Sequence, residues 1–313
     1  MYSELKFDMF SGMKTRIPLD RITAQTLELF QGNEDDIVHV LPDFSVFRQR
    51  QESEFGGLVY HPLFCVILRG RKEFKIGERC VSLSAGEAFV ISHDMPIASK
   101  IKGASLKSPY IATIFSLDLG ILRSLQAQVA SVVEVDPEAR FLSTGSYSSD
   151  WAEPLLRYMQ LSADPLKAEV LGPLIQKEIH FQLLLSPMGG MLRNLLFIDS
   201  SASRVARAIQ HIREKFREPL AIAELANVAS MSTSLFYDRF KSVTGTTPLQ
   251  YQKDLRLIEA RQLLMGGGWS VSGAGLEVGY ESPSHFSRDY TRRFQCSPRN
   301  HLARNREPVS TET

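Results

Sequence analysis

The segment VGYESPSHFSRDYTRRF, residues 278–294, gathers hydrogen-bonding and cationic side chains at helical spacing. In a helix, Phe286, Tyr290 and Phe294 fall four apart on a buried stripe, which leaves Ser284, His285, Ser287, Arg288 and Arg292 to face outward. That face is compact, polar and basic, and its chemistry is binding. A diverged copy stands upstream in MSTSLFYDRFKSVTG: at an offset of fifty residues Ser232 aligns with Ser282, Ser234 with Ser284, Phe236 with Phe286, Phe240 with Tyr290 and Pro248 with Pro298. Catalytic metal chemistry has no comparable signature. The paired HxH of a metal-dependent barrel enzyme is absent, and the three cysteines, Cys65, Cys80 and Cys296, form no CxxC pair and no zinc spacing with the seven histidines.

The elements that would position the two faces are legible around them. Ser282 can cap the second helix and Pro283 suits its first turn, where the missing N–H does no harm. Before it, SVSGAGLEVGY reads as a short helix and a turn in which Gly279 supplies a left-handed residue; before the first copy, LAIAELANVASMS places Ser230 there. Helix, tight turn and capped polar helix make a helix-turn-helix, whose second helix fits the DNA major groove. PLQYQKDLRLIEARQLLM joins the two units, and its Leu255, Ile258 and Leu263 fit a buried helical stripe.

The 313-residue chain is long enough for two domains. Residues 203–306 carry sixteen Lys/Arg against nine Asp/Glu, a net charge of about +7, and the remainder is mildly acidic. A basic module beside a mildly acidic one suits a polyanion reader joined to something else. No run of eighteen apolar residues occurs and the N-terminus lacks a signal-peptide pattern, so a cytoplasmic location is expected. From residue 37 to 117, short β-rich runs broken at Pro42, Gly56–Gly57, Gly70, Gly77 and Gly86 have the cadence of an antiparallel sandwich or small barrel. Helical patterning follows. Leu171, Leu174, Ile175, Ile179, Leu183 and Leu184 form an apolar stripe that can pack on the barrel or on a second copy of itself. The boundary is placed near residues 199–203, giving domains at 1–199 and 200–306 and a flexible tail at 307–313.

Through residues 205–302 the sequence resembles the AraC/XylS family of bacterial transcription regulators. LAIAELA, MSTSLFYDRFKSVTGTTPLQYQKDLRLIEARQLL and VGYESPSHFSRDYTRRFQCSPR occur in the family's order and spacing. The stretch from YHPLFCVILRGRKEFKIGE to SPYIATIFSLDL is similar to the cupin-type domain of one AraC-regulator subgroup. The resemblance implies an α+β two-domain protein: an N-terminal cupin-like β-barrel with helices that senses or oligomerises, and a C-terminal all-α double helix-turn-helix domain. It implies double-stranded DNA as partner, no cofactor and no catalysis, with a small-molecule effector, RNA polymerase and a second copy as further candidate partners. By family position the first reading helix presents Ser234, Tyr237, Asp238 and Lys241, and the second Ser284, His285, Ser287 and Arg288. An arginine there can pair with guanine or neutralise a phosphate, and Arg288 is the leading base reader. Arg292 and Arg293 lie late in the helix, where a cation also complements the helix dipole. Asp238 aligns with Arg288; a carboxylate repels phosphate but accepts from cytosine N4, so Asp238 is expected to set specificity or to pair with Arg239.

The departures from the family pattern are Gly273 and Gly275 inside a support helix, which with GGG at 266–268 predict a softer second unit, and Gln295 and Cys296 where a glycine-containing turn is common. In the barrel, His61, Cys65 and His93 are the candidate effector contacts, each with a structural alternative: a hydrogen-bonding histidine, or a cysteine acting as a small buried hydrophobe, a role also expected of Cys80. LRGRKEF, with Arg69, Arg71 and Lys72, reads as a solvated hairpin or as a receiver for an anionic effector. Two other functions stay open: a cupin enzyme with a DNA-binding tail, and a protein-interaction adaptor.

Overall fold

The computed structural model describes residues 19–76, 79–134, 136, 140–197 and 199–304. The N-terminal residues 1–18, the turn at Gly77 and the expected tail at 307–313 lie outside the described residues. After α1 (Leu19–Leu29), the strands are β1 (Ile37–Leu41), β2 (Phe44–Gln49), β3 (Gly56–Tyr60), β4 (Leu63–Arg69), β5 (Arg71–Ile76), β6 (Arg79–Ser84), β7 (Glu87–Ile91), β8 (Met95–Lys102) and β9 (Tyr110–Ser116). Short α2 (Leu119–Ser124) and α3 (Gln126–Val129) follow, then β10 (Leu142–Ser146), α4 (Ser149–Gln160), α5 (Pro165–Leu185) and α6 (Gly190–Leu196). All pairings are antiparallel, in a six-stranded sheet ordered β1-β2-β9-β4-β7-β10 and a four-stranded sheet ordered β3-β8-β5-β6.

β4 shows why the barrel strands are so apolar. Phe64, Val66 and Leu68 face a core shared with α1, α4 and α5, and Cys65 and Ile67 face the barrel interior, so both surfaces are dry. Trp151 of α4 meets Phe64 edge to face at 5.0 Å. On α5, Ile175, Ile179, Leu183 and Leu184 are buried against this layer, whereas Leu171 and Leu174 point to solvent with Leu166 and Val170. The apolar pattern of this helix therefore divides between two faces.

The remaining helices are α7 (Ser201–Glu214), α8 (Ile222–Val228), α9 (Thr233–Thr244), α10 (Pro248–Gly266), α11 (Val271–Glu277), α12 (Pro283–Phe294) and α13 (Pro298–Arg304). α7 begins one residue beyond the N-cap Ser200, whose hydroxyl accepts from Ser203 N–H at 3.0 Å. The barrel-interior cluster continues into Val205, Leu225, Phe236, Phe240 and Tyr251, so barrel and first helix-turn-helix unit share one core.

Four expectations are corrected. Gly56 and Gly57 open a strand, because β3 pairs with β8 and the bare glycines let α10 approach: a Cβ on Gly57 would lie 2.7 Å from Ile258 Cγ1 and 3.1 Å from Phe294 Cε1. β10, LSTGS, has no apolar alternation and is a strand only because it pairs with β7. Cys80 is exposed. Lys72 of the supposedly solvated hairpin turns inward, since its register partners Leu83 and Ile101 are core residues.

Candidate nucleic-acid interface

The two helix-turn-helix units are built alike. In the first turn Ser230 takes φ 54°, and in the second Gly279 takes φ 87°. Ser230 N–H donates to Asn227 O and Gly279 N–H to Leu276 O, both at 2.9 Å. The support helices and turns are therefore 49 residues apart and the reading helices fifty, because Glu281 adds one residue before the second cap. Leu235 N–H donates to Ser232 Oγ at 3.4 Å, and His285 N–H to Ser282 Oγ at 3.3 Å. α9 ends on Gly245 at φ 71° and α12 on Gln295 at φ 53°, so Gln295 fills the left-handed position that the usual glycine would occupy.

Within each unit the aromatic stripe is buried: Phe236 and Phe240 in the first, and Phe286, Tyr290 and Phe294 in the second. Gly275 has a packing reason, since a Cβ there would lie 2.9 Å from the Phe286 ring. The two glycines in α11 therefore do not break it.

α10 carries both readers. Its Leu255 and Ile258 are buried and Leu263 is half-buried, as the stripe requires. Tyr251 meets Phe240 of α9 edge to face at 5.6 Å. Two ion pairs bind α10 to α12: Lys253 Nζ to Asp289 Oδ2 at 3.1 Å and Arg293 Nε to Asp254 Oδ1 at 3.2 Å. Burial pushes the Asp254 carboxyl up and Arg293 opposes this. Arg256 completes the joint by donating to the carbonyls of Phe216 (2.6 Å), Arg217 (3.0 Å), Glu218 (2.8 Å) and Gly279 (2.8 Å). The 19-residue α10 is about 28 Å long.

Ser234, Tyr237, Asp238, Lys241, Ser284, His285 and Arg288 are all exposed. Ser287 is half-buried at the rim. Arg292 is exposed and held by Asp289 at 2.7 Å. Arg293 faces α10 and is excluded from the reading face. No ion pair joins Asp238 to Arg239 among the described residues, which leaves the Asp238 carboxylate free on the surface. Leu235, 43% exposed on the same face, escaped the sequence reading although the fifty-residue offset pairs it with His285; an apolar side chain there suits a thymine methyl group.

The three barrel candidates do not come together. His61 is exposed and its Nδ1 lies 2.5 Å from Asp94 Oδ1. His93 is buried, with Nδ1 2.8 Å from Ser92 Oγ and Nε2 3.4 Å from Ala202 O, and burial pushes its pKa down to about 4. Both histidines flank Asp94, which pairs with Arg213 of α7 and whose carbonyl accepts from Tyr251 at 2.5 Å. This corner therefore ties the barrel to the reader. Cys65 lies apart, inside the barrel, and burial pushes its thiol up to about 12. Among the described residues no group of three or more His, Cys, Asp or Glu is placed to hold a metal ion, and no helix is long and apolar enough to cross a membrane.

A family profile described as "AraC-type transcriptional regulator N-terminus" matches residues 40–191, and one described as "Helix-turn-helix domain" matches residues 225–304. The chain belongs to the AraC/XylS family. It is 31% identical over 163 residues to the HTH-type transcriptional activator RhaS of Escherichia coli O1:K1, an alignment covering 50% of this chain and 58% of RhaS. With the HTH-type transcriptional regulator ExsA of Pseudomonas aeruginosa it shares 28% over 123 residues, 39% of this chain and 44% of ExsA. The chain thus spans about half the length of these relatives. Fatty-acid-bound ToxT of Vibrio cholerae is similar in fold, with a TM-score of 0.53 at 11% identity over 85% of this chain and 96% of ToxT.

Proposed function

We propose that this protein is a cytoplasmic, sequence-specific regulator of transcription that binds double-stranded DNA and has no catalytic activity of its own. One observation carries the reading: two capped polar helices, both with exposed outer faces, are locked by ion pairs and aromatic contacts to one connecting helix. Residues 1–199 form the regulatory domain and residues 200–306 the reader. Arg288, with no hydrogen bond or ion pair among the described residues, reads a base with Ser284 and His285 beside it. Arg292 contacts phosphate, and Asp238 discriminates without adding affinity. A small molecule or a subunit contact in the barrel shifts the reader between states through the shared core, which requires unequal affinity for the two. RNA polymerase is the expected partner at a promoter.

The open face of α5 suits a second copy. Leu166, Val170 and Leu174 are 70%, 59% and 64% exposed at four-residue spacing. An antiparallel pairing centred near Pro173 sets Glu169 opposite the second copy's Lys177, which adds charge complementarity to the apolar contact.

The test is quantitative binding to a fragment recovered from genome-wide mapping and to its scrambled version, at several salt concentrations. Arg288→Ala is expected to weaken the specific fragment alone by about 1–3 kcal/mol. Arg292→Ala is expected to weaken both alike and to flatten the salt dependence. Unchanged affinity in both variants would contradict the assigned face.

A further inference from the structure

A cleft of about 750 Å³ opens along one side of α12, between the loop that follows α10 and the start of α13. Ser287 and Thr291 of α12 form one wall, Trp269 and Ser272 a second, and Ser297 and Arg299 the third. Among the described residues no carboxylate lines it. The groups left free in the cleft are donors. Arg299 is exposed and makes no ion pair or hydrogen bond among the described residues, and the same holds for hydrogen bonds of the Trp269 indole N–H and the Ser287 hydroxyl. Ser297 Oγ accepts from Asn300 N–H at 3.2 Å, which leaves its own hydrogen to give, whereas the Thr291 hydroxyl is already spent on Ser287 O at 2.8 Å. Arginine and the indole nitrogen cannot accept at all. A ligand that satisfies this set is anionic and rich in acceptors, as a phosphodiester is.

Position decides which phosphodiester. Ser287 immediately precedes Arg288, so the cleft begins where the reading face of α12 ends. A helix is about 10–12 Å across and the major groove about 12 Å wide, so a helix seated there meets a sugar–phosphate rail on each side. Asp289 and Ser287 stand about 200° apart around the helix. Arg292, held by Asp289 at 2.7 Å, therefore leans toward one rail, and the cleft lies on the side of the other.

We infer that this cleft grips the backbone of the DNA strand bordering the groove read by α12, with Arg299 on a phosphate and Trp269, Ser287 and Ser297 as neutral donors beside it. The inference rests on the regulator reading and deepens it, since it adds an anchor that lies outside the groove and carries no base preference. The first unit has no equivalent. At the fifty-residue offset Leu249, 54% exposed, stands in place of Arg299, and Tyr237 in place of Ser287. This anchor therefore belongs to the second unit alone.

The full chain is titrated with a duplex recovered by genome-wide mapping and with its scrambled version, at several salt concentrations. Arg299→Gln should weaken both about five- to tenfold and flatten the slope of log affinity against log salt by about 0.9, the share of one phosphate. Arg299→Lys should keep the wild-type slope, and Leu249→Gln, at the matched position of the first unit, should bind as wild type. Replacing phosphates one at a time with uncharged methylphosphonates locates the contact: one position flanking the α12 subsite should cost wild type about five- to tenfold and cost Arg299→Gln nothing. A merely structural arginine would show no such coupling to a single phosphate. DNA should also shield Trp269 from acrylamide quenching, which is readable because Trp151, the other tryptophan, is already buried. Wild-type affinity and salt slope in Arg299→Gln, no coupled phosphate, or an unshielded Trp269 would each overturn the inference while leaving the regulator reading standing. Unchanged DNA affinity in Arg299→Gln with reduced transcription in a reconstituted system would assign the cleft to an acidic protein surface and equally overturn it. Wild type that binds no DNA would defeat both ideas.

Discussion

Gly279→Ala tests whether the second reader depends on its turn. The residue sits at φ 87°, where a Cβ disfavours the backbone by about 1–2 kcal/mol. That Cβ would lie 2.9 Å from the carbonyl carbon of Arg217 and closer still to its oxygen, so loop and turn must part, at a further cost of about 1–3 kcal/mol. The alanine recovers about 0.4–1 kcal/mol by restricting the unfolded chain, which leaves a net loss of about 1–4.5 kcal/mol. Separation also breaks the group of carbonyls, Arg217 O and Gly279 O among them, that Arg256 holds together. Because two-state unfolding is not expected of a chain this size, the measurement is native-state amide exchange. Protection across α11 and α12 should fall by roughly 5- to 1500-fold at about 1.4 kcal/mol per decade, with α8 and α9 little changed. Ser230→Gly is the matched control, since it relieves the same backbone penalty in the first turn and should shift α8–α9 protection by about 1 kcal/mol or less. Unaltered exchange in α12, or equal loss in both units, would refute the argument that this close approach holds the second reader in place.

His93 makes stability depend on pH. Its folded pKa of about 4 lies below the ordinary 6.5, so the unfolded chain binds the extra proton; the stability is fully present above pH 6.5 and is lost as pH falls toward 4. At about 1.36 kcal/mol per pKa unit the loss approaches about 3 kcal/mol, and His93→Gln should flatten the melting temperature between pH 7 and 4.5. On α5, the double substitution Val170→Lys and Leu174→Lys should convert a dimer to monomer in sedimentation while leaving the melting temperature nearly unchanged, because both side chains already face solvent; a wild type that sediments as a monomer at all concentrations would rule the second copy out.

What could be read from the chain alone was whatever local chemistry decides. The caps at Ser232 and Ser282, the left-handed positions at Ser230 and Gly279 and the four-residue aromatic stripe of α12 all depend on neighbours within a turn or two, and the repeat made each visible twice. Strand cadence was legible for the same reason, since glycine breaks and β-branched runs are local signals. Tertiary structure alone decided where contacts join residues far apart in sequence. β10 is a strand because β7 offers it an edge, and Gly57 is in a strand because β3 pairs with β8, its missing Cβ leaving room for α10. Arg293 is taken from the reading face by Asp254, 39 positions earlier, although it looks no different in sequence from Arg292. Lys72 reads as a hairpin cation until the pairing of β5 with β6 and β8 turns it into the barrel. Local preference determines which helices and turns form; only the closing of sheets and the docking of helices determines which side of each is dry, and hence which charges stay free to meet a partner.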